Sequence, residues 1–100
     1  MKPEELAKFD DLVVQRITEI LKLRHNIEVQ KSRKDVLRAA SRIDSSEVNE
    51  LLFALRRIEK GIYGQCVICR HDISPDVLKD HLTARFCFSC EVVIHEKTAR

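Results

Sequence analysis

The sequence predicts a mainly α-helical protein: an antiparallel helical hairpin of the coiled-coil type, then a small four-cysteine finger and a short C-terminal helix. Three observations predict it. Apolar residues recur at steps of three and four over residues 6–20 and again over 48–62, the period of one helix face. Two Gly and two Pro in 100 residues, with 34% charged residues, leave long stretches free of helix breakers. All four cysteines lie beyond residue 65, in two Cys-x-x-Cys pairs.

The first helix is expected over residues 3–27. Pro3 suits a first-turn position, and Glu4 and Glu5 favour the positive end of the helix dipole. Leu6, Phe9, Val13, Ile17, Ile20 and Ile27 make its apolar stripe, which weakens at Leu23 and Arg24. Residues 24–35 hold few apolar side chains and read as the turn. Two start signals compete for the second helix. Ser32 with Asp35 resembles a capping box and starts it near 33; Asp44 with Glu47 gives the same signal near 45. The earlier start is preferred. Val48, Leu51, Leu55, Ile58 and Ile62 then form a heptad seam, with Val36, Leu37, Ala40 and Ile43 upstream, and Gly61 ends the helix. Arms of ~25 residues would each be roughly 37 Å long at 1.5 Å per residue. The expected division is therefore 1–61 for the hairpin, with its tip near 24–35, and 62–100 for the finger with a closing helix around Val92, Val93, Ile94 and Lys97. A monomer is expected; the competing arrangement is a homodimer whose seams bury against a partner chain.

The bulk numbers narrow the function classes. A hydrophobic content of 44% without Trp suits one modest core. Residues 1–23 lack the apolar stretch of a secretory signal, and no run approaches the ~18–20 apolar residues of a membrane span. Thiols in a chain without an export signal read as metal ligands in a reducing compartment, so the cytoplasm is expected. The net charge of +2 is uneven: residues 22–42 hold seven Lys/Arg against two Asp/Glu, and that segment carries the whole excess. It is a solvated face, or it meets an acidic protein surface, or it meets nucleic acid through phosphates. It contains no aromatic residue, so stacking on single-stranded bases is unsupported.

Cys66 and Cys69, then seventeen intervening residues, then Cys87 and Cys90 carry the chemistry. Two residues between paired cysteines let a tight knuckle aim both sulfurs at one point, and two knuckles complete a tetrahedron around one structural zinc ion. Two redox dithiols or an iron–sulfur cluster are the alternatives, and the usual three-cysteine run of a cluster is missing. Four thiolates leave no open position for a reactive water, so an enzyme is not expected. His25, His71, His81 and His95 read as surface or supporting residues.

The stretch from Ala54 to Cys66, ALRRIEKGIYGQC, resembles the approach to the zinc finger of the DksA/TraR family, in which a helix ending in RIE-x-G-x-YG delivers the chain into Cys-x-x-Cys. The spacing to the second pair, with Ile73, Leu78 and Ala84 between, fits as well, so the resemblance covers about residues 50–92. It implies a cytoplasmic bacterial transcription regulator that binds RNA polymerase directly, its hairpin entering the secondary channel and acting with a nucleotide alarmone. The partner-binding residues implied at the tip are Arg24, Asn26, Glu28, Lys31, Arg33, Lys34 and Asp35. The family's acidic tip motif, D-x-x-D-x-A, falls near Asn26 by the usual spacing, where the aspartates are missing. Arg70 stands where the family has Gly and Leu82 where it has Pro. The alternative function is accordingly a zinc-finger interaction module with a changed partner: nucleic acid through residues 22–42, or a second copy of the chain.

Overall fold

The computed structural model describes residues 2–29, 32–87 and 89–93. Helix α1 spans Pro3–His25, α2 Arg33–Ser41, α3 Ser46–Glu59 and α4 Pro75–Asp80, and residues 89–93 are helical again. Ile94 and Lys97, expected in the closing helix, lie outside the described residues, as does Lys31. No helix is long and apolar enough to cross a membrane among the described residues.

The α1 stripe is buried as its spacing dictates. Phe9, Val13, Ile17 and Ile20 lie in the core with Leu21, while Leu6 and Ile27 are half-buried at its ends. The helix stops at Asn26, which adopts a left-handed φ of 53°, and the Ile27 N–H bonds the Leu21 carbonyl at 2.9 Å. Asn is among the few non-glycine residues that take this conformation readily.

The second arm departs from expectation, because it is two helices rather than one. A helix starts near each of the two signals, although the Ser32 side chain makes no capping hydrogen bond. Ser32 is the N-cap residue of α2, which ends where the Arg42 N–H donates to Ala39 O and the Ile43 N–H to Ala40 O, both at 3.2 Å. A new helix begins at Ser45, whose hydroxyl accepts from the Val48 N–H, one residue later than the Asp44 signal suggested. Three consecutive residues with short hydroxyl or carboxyl side chains, Asp44, Ser45 and Ser46, compete with the helical backbone for hydrogen bonds and favour the break.

Ion pairs fix the helix directions. Glu47, at the start of α3, reaches Arg16 at 3.5 Å and Arg24 at 2.5 Å on α1, and Arg33 bridges Asp10 at 3.0 Å to Glu59 at 3.3 Å. Thus α3 runs antiparallel to α1, as expected of the hairpin. However, Arg33 sits beside the first half of α1 rather than at its far end. The segment after Asn26 therefore returns along α1, with Ile27 and Val29 packed on the core, and α2 rises parallel to α1 before the turn into α3. Of the described residues expected at the tip, Arg24 thus stands at the far end of α1 and Arg33 back at the level of Asp10. The polar composition of that segment marked a connection but carried no information about its direction.

Val36, Ala40, Val48, Leu51, Ala54 and Leu55 close on the α1 stripe in one buried cluster, and Tyr63, Ile73 and Leu78 extend it beneath the cysteines. The seam is thus filled by the chain's own α1 rather than left for a second copy. Ile58 is half-buried, and Ile62, expected in the seam, is 42% exposed because the helix has already ended. Its end is a Schellman motif: Ile62 N–H to Arg57 O and Gly61 N–H to Ile58 O, both 3.0 Å, with Gly61 at φ 73°.

Candidate metal centre

The Schellman turn aims the chain into the first knuckle. Ile62-Tyr63-Gly64-Gln65 leads to Cys66, with Gly64 at φ 87°, and an antiparallel bridge joins Gln65 to Asp72. Within that bridge the Cys66 N–H donates to His71 O at 2.8 Å, the Arg70 N–H to Cys66 O at 2.9 Å and the Ile73 N–H to Gly64 O at 2.7 Å. The second knuckle runs into the helical turn at 89–93, where the Glu91 N–H donates to Cys87 O at 2.9 Å. The Val67 N–H donates to Arg85 O at 2.8 Å and so stitches the two knuckles together.

This framework brings Cys66, Cys69, Cys87 and Cys90 together: their four sulfurs lie within 4.8 Å of one another. The Cys69 and Cys87 sulfurs are 3.5 Å apart, and none of the four is in a disulfide. Sulfurs each ~2.3 Å from one tetrahedral centre are separated by roughly 3.8 Å, so the arrangement fits a single ion of the zinc type. Burial pushes the Cys66 thiol up, but the backbone N–H groups of Cys69, Cys87 and Ile68 outweigh it and bring the thiol down to about 6. Cys90 is pushed up to about 12, first by its hydrogen bond to Cys87 and then by burial. An ion bound among them would displace the protons that the four sulfurs hold. His71 and His81 are exposed, and His71 serves the knuckle through its backbone; His95 lies outside the described residues.

The centre is docked on the helices. The Tyr63 hydroxyl donates to Leu82 O at 2.8 Å while its ring meets Phe9 with centroids 5.3 Å apart and planes at 50°. Arg85 lies over the Phe53 ring at 5.3 Å and reaches Glu50 at 3.7 Å. Over its full length the chain is similar to the solved structure of transcription factor DksA2 from Pseudomonas aeruginosa: the TM-score is 0.70 and the match covers 97% of this chain and 88% of that one. The chain has the DksA fold. Sequence identity to that DksA is only 19%. No family model matches the sequence, and no curated protein matches it either. What carries the DksA fold here is thus the three-dimensional arrangement, the helices with the four-cysteine cluster beyond them, more than residue identity.

Of the residues expected at the tip, Arg24 pairs with Glu47, and Arg33 pairs with Asp10 and Glu59. Asn26, Glu28, Lys34 and Asp35 are exposed, but the fold does not gather these residues into one site. Two features escaped the sequence reading. Helix α4 is signalled by Ser74-Pro75-Asp76, an N-cap residue followed by Pro at the first helical position and an acid in the first turn. The other is Arg57, which the motif spacing contains but whose 4% exposure no charged residue advertises in a sequence.

Proposed function

We propose that this chain is a zinc-holding transcription regulator of the DksA/TraR type that acts by binding RNA polymerase directly. The observation that carries this reading is the full-length likeness to a DksA fold, together with a four-sulfur cluster at the position where the motif resemblance puts the family's finger. Cys66, Cys69, Cys87 and Cys90 are the proposed ligands of one ion. Bound there, zinc cross-links the two knuckles and leaves no open coordination position, so it contributes folding energy, about 10 kcal/mol or more in such sites. The reading assigns no catalytic residue.

The partner-facing candidates are Arg24, Asn26, Glu28, Lys34 and Asp35, all exposed. Arg33 is better read as an internal tie between α1 and α3. The test is retention of the chain on core RNA polymerase at physiological salt, followed by transcription in vitro with Glu28→Gln and Asp35→Asn. Retention with an altered transcription response in the variants supports the reading, and no retention overturns it.

A second reading is supported by α2. Lys34, Arg38 and Arg42 are exposed at steps of four along one helix face, and none pairs with an acid among the described residues. Such a stripe suits the phosphates of a nucleic acid, and affinity through it would fall steeply with salt. Binding of duplex DNA that is equal at 50 and 300 mM salt, roughly twice the 0.15 M physiological level, would remove it.

A further inference from the structure

Arg57 is the buried charged residue of the described chain, 4% exposed on the inner side of α3. Its Nη2 donates to the carbonyls of Ile62, at 3.2 Å, and Gln65, while its Nε is buried with no partner. No carboxylate pairs with it among the described residues. A guanidinium largely withdrawn from water, with two carbonyl dipoles as its hydrogen-bond partners and a buried Nε without one, is costly unless a negative charge lies near it.

Two groups close to Arg57 are able to carry one, Tyr63 and Cys66. Tyr63 stays a neutral phenol, because burial pushes it up to about 12. That leaves Cys66, 1% exposed, which shares with Arg57 the lining of a hollow of about 370 Å³. A divalent ion on four thiolates carries a net double negative charge, and Cys66 is the ligand that presents it to the protein interior. The same side chain also holds Ile62 and Gln65 on either side of Tyr63-Gly64, directly before the first ligand.

We infer that Arg57 is a positioning residue and counter-charge for the metal centre, its buried guanidinium balancing the tetrathiolate site while clamping the backbone that delivers Cys66. This rests on the proposal that the four cysteines hold zinc. It also explains why a cation is tolerated there: metal and guanidinium each make the other's burial favourable.

The experiment compares zinc affinity by chelator competition, and the thiolate-to-metal charge-transfer band of the Co²⁺-loaded protein, in the parent, Arg57→Gln, Arg57→Lys and Arg56→Gln. Gln and Lys both donate hydrogen bonds, but only Lys keeps the charge; Arg56 is exposed on the same helix. Arg57→Gln is expected to weaken zinc binding by roughly 10–100-fold and to move the band, with Arg57→Lys recovering most of the loss and Arg56→Gln matching the parent. A Gln variant that takes up metal only as a misfolded chain, beside a Lys variant that folds, supports the charge requirement. Equal behaviour of the Gln and Lys variants, including failure of both, overturns it. A parent that binds no zinc overturns this inference and the metal reading together, whereas a zinc-binding parent with indifferent variants overturns this inference alone.

Discussion

Arg70 sits in the first knuckle with φ at 62°, the left-handed conformation that costs a side-chain-bearing residue roughly 1–2 kcal/mol. The DksA/TraR pattern has Gly at this position, and the geometry supplies the reason: the chain must bend that way after Cys69 for the His71 carbonyl to come back and accept from the Cys66 N–H. Arg70→Gly is therefore expected to stabilise the chain by about 1 kcal/mol, net of the entropy that Gly adds to the unfolded state, read as a raised urea midpoint with unchanged slope. A second residue gives a clean optical reading. Tyr63 is the only tyrosine in the sequence, it is 1% exposed, and burial raises its ionisation from the usual 10 to about 12, with Arg57 opposing. A phenol whose folded value lies above its unfolded one contributes stability that is whole below pH ~10 and is lost as pH climbs from there towards ~12. Phenolate absorbance should consequently stay silent through pH 10 and rise together with the loss of helical signal. A free titration near 10 in the folded chain would contradict the buried hydroxyl and its bond to Leu82.

The break between α2 and α3 is where local chemistry outweighs periodicity. The apolar pattern from Val36 to Leu55 continues in helical phase across residues 42–45, so spacing alone favours one long arm. Ser45 decides otherwise by accepting from the Val48 N–H, and Glu47 then reaches Arg16 and Arg24. Ser45→Ala removes the cap and should cost about 1 kcal/mol by urea unfolding; a variant more stable than the parent would mean that a continuous helix is the better packing. Element existence was largely legible: the α1 stripe, the Gly61 stop and the closing turn before residue 94 all lie where periodicity and capping put them. Direction was not, because the placement of Arg33 back beside the first half of α1 goes with its meeting Asp10 and Glu59, and no local pattern encodes a meeting of residues so far apart. Burial pushes the Asp10 carboxyl up and Arg33 offsets part of this, so the pair straddles the surface, with Asp10 partly buried and Arg33 exposed.

For the whole molecule, one buried cluster links α1, α2 and α3 to Tyr63, Ile73 and Leu78 beneath the cysteines, yet the clustering of sulfurs does not by itself hold two knuckles closed. Removing the ion with a strong chelator is expected to unfold residues 62–92 while the helical circular dichroism of α1 and α3 largely survives; an unchanged near-ultraviolet signal after complete zinc removal would sink this. The gathering of the four cysteines was legible because Cys-x-x-Cys spacing is a local property, whereas Arg57 was not, since a buried cation looks in sequence like any other arginine of a charged helix. The contact between Phe9 and Tyr63 carries one more consequence, for the order of assembly during synthesis. Chains emerge from the ribosome N-terminus first, so α1 is made with its apolar stripe facing water long before either knuckle exists. Phe9 must wait for more than fifty further residues to be translated before its aromatic neighbour arrives, and Cys87 and Cys90 come later still. On the proposed metal reading, capture of the ion is therefore a late event in the life of a nascent chain, and its supply at that moment would govern whether a pre-formed bundle gains its clasp or lingers with Phe9 uncovered.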